Sequence, residues 1–276
     1  MKENTMRIQK AITDSGLASR RQAEAMIMEG RVQVNKEIVI HPNTEVNPHK
    51  DEILVDGKTL PIQERKVYYA FHKPKNTICV RDDPQERSSI FDLLSIIPHR
   101  IEAIGRLDFN TTGLILLTND GALAHGLTQP SIPIPKRYKV KVWKTPDERQ
   151  LKRLRKGIQL ENERSKPAKI KILESTETNN AWLEMTTTES RNRIIRQMFA
   201  AINHPISKLQ RISYATVNLG RLESKQYRSL TGPELERLRA LASGKEVSSL
   251  KKQSKYKKGF ARPKIKNSPL RKKKRR

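Results

Sequence analysis

The distribution of basic residues along this chain limits which part of it can fold. Residues 245–276 contain 15 Lys or Arg and one acidic residue, Glu246, so they carry +14 of the formal net charge of +27. Large apolar side chains are almost absent there, and such a segment cannot bury enough surface to offset the loss of chain entropy. We therefore expect residues 245–276 to be a disordered basic tail.

The rest of the chain is also basic, which narrows the class of partner. Residues 1–244 keep a net charge of about +13, and a field of that sign attracts nucleic acid or an anionic membrane. No apolar run approaches the roughly 20 residues that cross a bilayer, and residues 1–10 lack the apolar segment of a signal peptide. We expect a nucleic-acid partner, no membrane association and a cytoplasmic location. The tail can be a solubilising segment or an arm that binds phosphates nonspecifically.

The cysteine and histidine content argues against a metal site. The single Cys79 permits no disulfide and no cysteine-based zinc site, and the six histidines are scattered without metal-ligand spacing. The sequence also has no glycine-rich loop of the Walker type. We therefore expect no metal site.

Residues 6–60 have the pattern of a small independent module. A helix is predicted over 6–15, ended by Gly16, and a second helix begins at a capping box formed by Ser19 and Gln22 and ends at Gly30. Short alternating runs after Gly30 predict a small sheet. Arg20 and Arg21 stand at the start of the second helix, where phosphate is favoured, although solvated arginines would give the same pattern.

The residues of this module resemble the alpha-L RNA-binding domain named after a small-subunit ribosomal protein. The resemblance is carried by residues 7–11, 15–24 and 30–35. It implies that folded ribosomal RNA binds to a face carrying Lys10, Arg20, Arg21 and Arg31. We expect this domain to span 1–60 and to be joined by a linker, 61–67, to a larger domain, 68–244.

The larger domain is predicted to be α+β with a mainly antiparallel sheet. Its strand-like runs outnumber its helical runs and do not alternate with them regularly. The strand-like runs are 67–71, 77–80, 101–105, 113–117, 138–143, 168–173, 182–187 and 206–217. Helices are predicted from a capping box at Thr145 to about 156, over 191–201, and from a second box at Thr231. Trp143 and Trp182 fall in strand-like runs and are expected in the core.

Three segments of this domain carry candidate chemistry. Asp108 lies in a glycine-bounded polar loop before a strand, where it can face a cleft or simply form a turn. Residues 136–142 alternate basic and apolar side chains around Tyr138, a pattern that can stack a base while cations hold phosphates. Residues 191–196 bring three arginines to a helix start with little acidic compensation, and an arginine beside a carboxylate keeps it ionised.

These three segments together resemble the RsuA/RluB-type bacterial rRNA pseudouridine synthases. The most specific match is 105–108 with 110–114 and 117–121, and the resemblance extends over nearly all of residues 6–240. It implies Asp108 as catalytic nucleophile, Tyr138 as the residue that stacks on the target base, and Arg196 as the charge partner of Asp108, with Leu209 packing in the pocket. We further expect RNA contacts at Arg106, Lys136, Arg191 and Arg193. Residues 72–75 match a further family run and are expected to be structural.

The reaction that the resemblance implies converts a uridine of ribosomal RNA to pseudouridine. No redox change occurs and no group is added, so no cofactor is required. Asp108 can abstract a proton, add to the sugar or assist glycal formation, and these routes stay open. Arg106 is a candidate to fill the stack that the uridine leaves. We expect a monomer that acts on ribosomal RNA or a ribosomal precursor particle, with the large subunit favoured by the tail.

Some positions depart from the family pattern, and other functions remain open. The departures that replace glycine are Asn76, Ser190, Asn203 and Ala215, and the others are Ile194 and Gln197. Asn tolerates positive φ, so the turn at 76 is expected to survive. A ribosome-assembly factor that binds RNA without catalysing a reaction would need only the module, 6–60, and the tail, 245–276. A glycosidase would need a second carboxylate, for which Asp120 is the nearest candidate.

Deleting residues 245–276 should flatten the dependence of log affinity for RNA on log salt concentration, because each phosphate that the tail neutralises contributes to that slope. The modified uridine should stay the same, since the tail has only Tyr256 and Phe260 as aromatic residues to read bases. Titrations of RNA at several salt concentrations, with intact and truncated chains, measure the slope. Equal slopes would contradict a phosphate-binding arm.

Overall fold

The computed structural model describes residues 5–61, 65–81, 83–161, 163–175 and 180–244, so the predicted tail lies outside the described residues. The N-terminal part folds around its own hydrophobic cluster, which includes Ile8, Ile12, Ile27 and Val32. Its elements are β1 Met6–Arg7, α1 Ile8–Asp14, α2 Arg20–Met28, β2 Val32–Val34, β3 Glu37–Val39, β4 Glu45–Val46, β5 Ile53–Val55 and β6 Lys58–Thr59.

Local sequence signals position the two helices of this part. The Ser19 hydroxyl accepts from the Gln22 amide at 3.3 Å and the Gln22 side chain accepts from the Ser19 amide at 3.0 Å, which confirms the predicted capping box. Gly30 follows α2 with φ of +72°. The first helix begins at Ile8, two residues later than predicted, because Met6 and Arg7 pair with β4 as a strand.

The larger part is built on one sheet with helices on both faces. Its elements are β7 Tyr68–Lys73, α3 Ile90–Leu93, β8 Glu102–Ile104, β9 Thr112–Thr118, α4 Gly121–Thr128, β10 Lys136–Val142, α5 Glu148–Lys156, β11 Lys169–Ser175, β12 Ala181–Thr187, α6 Ile194–Ala200, β13 Ile206–Tyr214, β14 Val217–Asn218, β15 Tyr227–Ser229 and α7 Gly232–Ala242. The strand order is β11-β12-β10-β13-β9-β7-β15, with β14 paired to β13 and β8 to β9. The pairs are antiparallel except β13 with β9, as an α+β fold with a mainly antiparallel sheet requires.

Strand β9 is buried on both faces, which explains its continuous apolar run. Successive side chains of a strand point to opposite faces. Ile115 and Leu117 pack into a cluster with α3, α5 and α6, whereas Leu114 and Leu116 pack into a second cluster with α4 and α7. The loop that carries Asp108 leads directly into β9. Because β9 is packed on both faces in the centre of the domain, the end of the loop that joins β9 is held in place.

Several predicted elements differ from the structure. Residues 77–80 are not a strand and make a single bridge from Ile78 to Ser89. The cap of α5 is Asp147, which accepts from the Gln150 amide at 2.7 Å, so the predicted box at Thr145 is wrong by two residues. Helices α3 and α4 were not predicted. Trp143 is 61% exposed and lies outside the core.

Gly113 allows β9 and β13 to approach each other closely. Its φ is +107°, and a Cβ built there would overlap the carbonyl oxygen of Arg211 and lie 2.7 Å from the Arg211 nitrogen. An L side chain would therefore meet both backbone strain and a backbone clash. The parallel pairing of Gly113 with Arg211 depends on this glycine.

Gly113→Ala should lower the free energy of unfolding by about 3 kcal/mol or more, because the neighbouring backbone cannot move away from the new methyl group. Gly121→Ala is the matched control, since Gly121 lies at the start of α4 with nothing within 4 Å of the added Cβ. The control should change stability by less than about 1 kcal/mol. Urea denaturation measures both variants, and equal effects would contradict the close approach.

Candidate active site

A cleft with a cavity volume of about 420 Å³ lies against one face of the β10–β13 pair. Its floor is formed by side chains that project from the same face of these strands: Lys136, Tyr138, Leu209, Arg211 and Tyr214. One wall is the loop 105–111 between β8 and β9, and the other is the segment 188–196 that leads into α6. The three candidate segments of the sequence therefore meet in one place.

Asp108 and Arg196 face each other across this cleft. The Arg196 Nε lies 3.7 Å from the Asp108 Oδ2, with the side chains 21% and 31% exposed respectively. The Arg196 guanidinium also donates to the Thr111 hydroxyl and to the Ile206 carbonyl, each at 3.4 Å. The guanidinium is thus fixed by both β13 and the loop, and Asp108 remains open to a substrate.

The loop carrying Asp108 is held by a buried lysine. Lys73 is completely buried at the end of β7, and its ammonium donates to the carbonyls of Pro74, Phe109 and Thr111 at 3.0, 3.3 and 2.9 Å. Burial lowers the pKa of Lys73 to about 8, while the nearby charge of Asp108 acts in the opposite direction. Two of its three bonds end on the loop just after Asp108, so Lys73 sets where this loop can lie.

Two further residues, both in the segment after β7, form hydrogen bonds with the same loop. The Asn76 amide donates to the Phe109 carbonyl at 2.9 Å. The Cys79 thiol donates to the Leu107 carbonyl at 3.4 Å and accepts from the Leu107 amide at 3.5 Å, and burial raises the pKa of this thiol. The residues on both sides of Asp108 are therefore tethered, which orients the carboxylate before any ligand binds.

Tyr138 and Leu209 form the apolar part of the cleft floor. Tyr138 is 7% exposed and its Cα partner on β13 is Arg211, while Leu209 lies two residues further along the same face. Lys139 and Lys141 point away from Tyr138 and stack over Trp182 at 4.6 and 5.8 Å. Of the basic residues in the predicted alternating run, only Lys136 therefore lies on the cleft face with the Tyr138 ring.

Lys136 is a half-buried cation of the cleft. Its ammonium donates to the Glu189 carbonyl at 3.2 Å and lies 5.8 Å from the Tyr214 ring centroid. Burial lowers its pKa to about 8, with the positive charges of Arg211 and Lys166 acting in the same direction. The positive charge of Lys136 is therefore available to an anionic group that enters the cleft.

The arginines before α6 differ from the prediction in two ways. Arg191 is ion-paired with both Glu163 and Glu189, so the expected lack of acidic compensation is wrong for it. Arg193 has φ of +53° and occupies the N-cap position, so α6 begins at Ile194, three residues later than the predicted start at 191. Arg193 and Arg106 are exposed at the rim of the cleft, where they can reach a phosphate.

The predicted RNA-binding residues of the N-terminal part lie away from this cleft. Lys10 pairs with Asp14, and Arg31 pairs with Glu29 at 3.1 Å and with Asp56 at 2.7 Å. Arg20 and Arg21 are exposed at the start of α2, with Arg20 3.9 Å from Glu24. All four of these basic residues are exposed.

Three of the departures from glycine occupy backbone positions at which glycine is favoured. Asn76, Asn203 and Ala215 have φ of +60°, +62° and +51°. The expectation that the turn at Asn76 survives is confirmed. Ile194, another departure, is buried and lines the cleft, while Gln197 is exposed on α6.

The sequence did not identify four residues that shape the site: Lys73, Cys79, Glu189 and Arg211. The apolar surroundings of Lys73 in β7 were an available signal, because a lysine in a buried strand needs several acceptors. Asp120, the candidate second carboxylate, caps α4 and accepts from the Tyr68 hydroxyl at 2.9 Å. The described residues hold no group of three or more metal-ligating side chains, and none of their helices is long and apolar enough to cross a membrane.

Comparisons with known proteins cover both parts of the chain. A family model described as RNA pseudouridylate synthase matches residues 67–201, and a model described as S4 domain matches residues 6–53. The chain is 42% identical to the ribosomal large subunit pseudouridine synthase B of Bacillus subtilis, over 86% of this chain and 96% of that protein. It is 36% identical to the protein of that name from Yersinia pestis, over 77% of this chain and 68% of that protein.

A solved structure extends these similarities to the fold. A crystal structure of a pseudouridylate synthase superposes with a TM-score of 0.60 at 32% identity, covering 84% of this chain and 99% of that one. A protein of Aquifex aeolicus named as an uncharacterized RNA pseudouridine synthase is 39% identical over 84% of this chain and 93% of its own length. The similarities thus extend through the cleft and the N-terminal part together.

Lys73→Met should lower the free energy of unfolding by about 2–4 kcal/mol, because three carbonyls lose a charged donor in a buried place. Lys75→Met is the matched control, since Lys75 is two residues away and exposed. The control should shift the urea midpoint little. The Lys73 tether would be disproved by equal midpoints for the two variants.

Proposed function

This chain belongs to the RNA pseudouridylate synthase family, and on that premise we propose that it converts one uridine of large-subunit ribosomal RNA to pseudouridine. Two relatives of this chain are named for the ribosomal large subunit. The observation that carries the proposal is the placement of Asp108. It lies 3.7 Å from Arg196 in a cleft whose floor contains Tyr138.

The reaction requires the C1′–N1 bond of uridine to break, the base to turn, and C5 to bond to C1′. A carboxylate beside the sugar can start this sequence by attacking C1′ or by removing a sugar proton. We assign that role to Asp108, with Arg196 holding its charge and position. Arg196 also contacts Thr111, so the loop that carries Asp108 contacts both members of the pair.

The target uridine has to leave its helical stack to reach Asp108. Extrusion of a base costs a few kcal/mol, which stacking on an aromatic ring and contacts with phosphates can offset. Tyr138 supplies the ring from the cleft floor, and Leu209 packs beside it. Arg106 and Arg193 at the rim hold phosphates, and Arg106 is placed to enter the vacated stack.

RNA binding extends beyond the cleft in this proposal. The N-terminal domain, residues 1–60, docks on folded ribosomal RNA through Arg20 and Arg21, with Lys10 and Arg31 alongside. A linker, 61–67, joins it to the catalytic domain, 68–244, and the basic tail, 245–276, adds contacts with phosphates. The protein acts in the cytoplasm as a monomer on ribosomal RNA or a precursor particle, and the isomerisation uses no cofactor.

Asp108→Asn should bind ribosomal RNA about as tightly as the wild type but lose isomerisation by about 10⁴-fold or more, because an amide is neither nucleophile nor base. The assay is tritium release from RNA carrying 5-tritiated uridine, since C5 gives up its hydrogen when it bonds to C1′. Asp120→Asn is the matched control. Asparagine caps helices as well as aspartate, so α4 and the activity should both persist.

Two outcomes would overturn the assignment in different ways. Tritium release by Asp108→Asn at the wild-type rate would remove Asp108 from the chemistry. Absence of release by the wild type, on every ribosomal RNA and precursor particle that it binds, would instead favour a ribosome-assembly factor without catalysis.

A further inference from the structure

Arg211 is a buried cation of the cleft floor whose hydrogen bonds are incomplete. It lies on β13 with 2% of its surface exposed, and its Nε donates to the Leu114 carbonyl at 2.7 Å. Its Nη2 is buried without a hydrogen-bond partner in the part of the chain that the structure describes. Buried polar groups are almost always hydrogen-bonded, so this nitrogen lacks a group that the protein itself does not supply.

The position of Arg211 relates it to the stacking residue. Arg211 and Tyr138 are Cα partners on neighbouring strands, and both line the cleft. A register shift between Arg137 and Tyr138 places Tyr214, rather than Ser213, on the same face, where its ring lies 5.1 Å from the Arg211 guanidinium. Arg211 therefore lies beside the ring on which a base would stack.

Arg211 and Lys136 together leave positive charge in the floor. Among the described residues, neither cation is within ion-pair distance of a carboxylate. Glu189, which is next to Lys136, binds it only through its backbone carbonyl, and the Glu189 carboxylate pairs with Arg191. Two cations that have no carboxylate partner and little contact with water attract an acceptor that carries negative charge. The cleft is therefore complementary to an anion at this point.

The burial of Arg211 decides which part of an RNA could reach it. A backbone phosphate is bulky and solvated, and the exposed Arg106 and Arg193 at the rim are accessible to it. A flipped uracil is flat and enters furthest, with O2 and O4 as acceptors on its edges. We propose that Arg211 donates from Nη2 to a uracil carbonyl oxygen and, with Lys136, stabilises the negative charge on the base while it is detached from the sugar; this rests on the proposed function.

The proposed step balances without another reactant. The C1′–N1 bond breaks with its electron pair going to the uracil ring, where the charge spreads onto O2 and O4. During this time C1′ is either bonded to the Asp108 carboxylate or part of a glycal formed after that carboxylate has removed a sugar proton. The ring turns, and C5 supplies the electron pair of the new bond to C1′. C5 then loses its proton and N1 takes up a proton, so the base ends neutral and no proton is gained or lost overall. Hydrogen-bond donors directed at O2 or O4 stabilise the transition state most strongly, because negative charge develops on these oxygens there.

The test compares natural and sulfur-substituted RNA. Transcripts of the substrate are made with uridine, 2-thiouridine or 4-thiouridine, because sulfur is a weaker acceptor than oxygen at the position that it replaces. Single-turnover rates at saturating enzyme are followed by nucleoside mass spectrometry, with wild type and Arg211→Met. Lys139→Met is the matched control, since Lys139 faces away from the cleft and should leave the rate unchanged.

Arg211→Met should slow the reaction of natural RNA by about 10²–10³-fold, the usual effect of removing one such donor, with RNA affinity nearly unchanged. One of the two sulfur substitutions should slow the wild type clearly more than it slows Arg211→Met. Equal sensitivity of both proteins to both substitutions would overturn the proposal. A loss of affinity that accounts for the whole loss of activity would also overturn it, in favour of a phosphate contact.

A second variant keeps the test decisive if Arg211→Met does not fold. Arg211→Lys retains a cation but cannot serve both Leu114 and a base, so it should show the same loss of sulfur sensitivity with a smaller loss of rate. A wild-type rate and wild-type sulfur sensitivity in Arg211→Lys would overturn the proposal. If the wild type forms no pseudouridine at all, the proposed function fails, which is a separate result from these.

Discussion

The parallel pairing of β9 with β13 is the constraint on which the rest of the catalytic domain depends. Gly113 permits this contact, and Arg211 is its partner. Strand β9 leaves the loop that carries Asp108, and β13 supplies Leu209 and Arg211 to the cleft floor. The close approach of the two backbones therefore sets the separation between the carboxylate and the surface on which a base would stack.

The contacts that hold the loop 105–111 leave the Asp108 carboxylate facing the cleft. Lys73, Asn76 and Cys79 bond to backbone groups on both sides of Asp108, so the loop is fixed without using the carboxylate. Arg196 approaches the carboxylate from the other wall. A loop built this way is preorganised, and little of the energy of RNA binding has to be used to order it.

Local patterns in the sequence predicted what depends on local structure. The capping box at Ser19, the sheet class and the turn at Asn76 follow from neighbouring residues, and the structure confirms them. The predicted start of α5 was wrong because Thr145 with Glu148 and Asp147 with Gln150 both satisfy the capping-box rule, and the structure forms the second box. Family resemblance, confirmed by the relatives, brought Asp108, Tyr138 and Arg196 forward as candidates.

Contacts between distant residues could not be predicted from the sequence. Glu163 neutralises Arg191 from 28 positions away, and Lys73 reaches Thr111 from 38 positions away. The importance of Arg211 appears only when β13 is placed in register with β10, because its charge then lies beside Tyr138. An arginine in an apolar run has no local signature that separates an ion-pairing role from a place in a cleft.

The incomplete bonding of Arg211 has a consequence for the stability of the whole protein. A buried donor without an acceptor raises the free energy of the folded chain, and a ligand that completes its bonding binds only the folded form. RNA that fills the cleft therefore shifts the folding equilibrium as well as the occupancy of the site. Thermodynamic linkage makes the resistance of this enzyme to heat and denaturant depend on the concentration of its substrate.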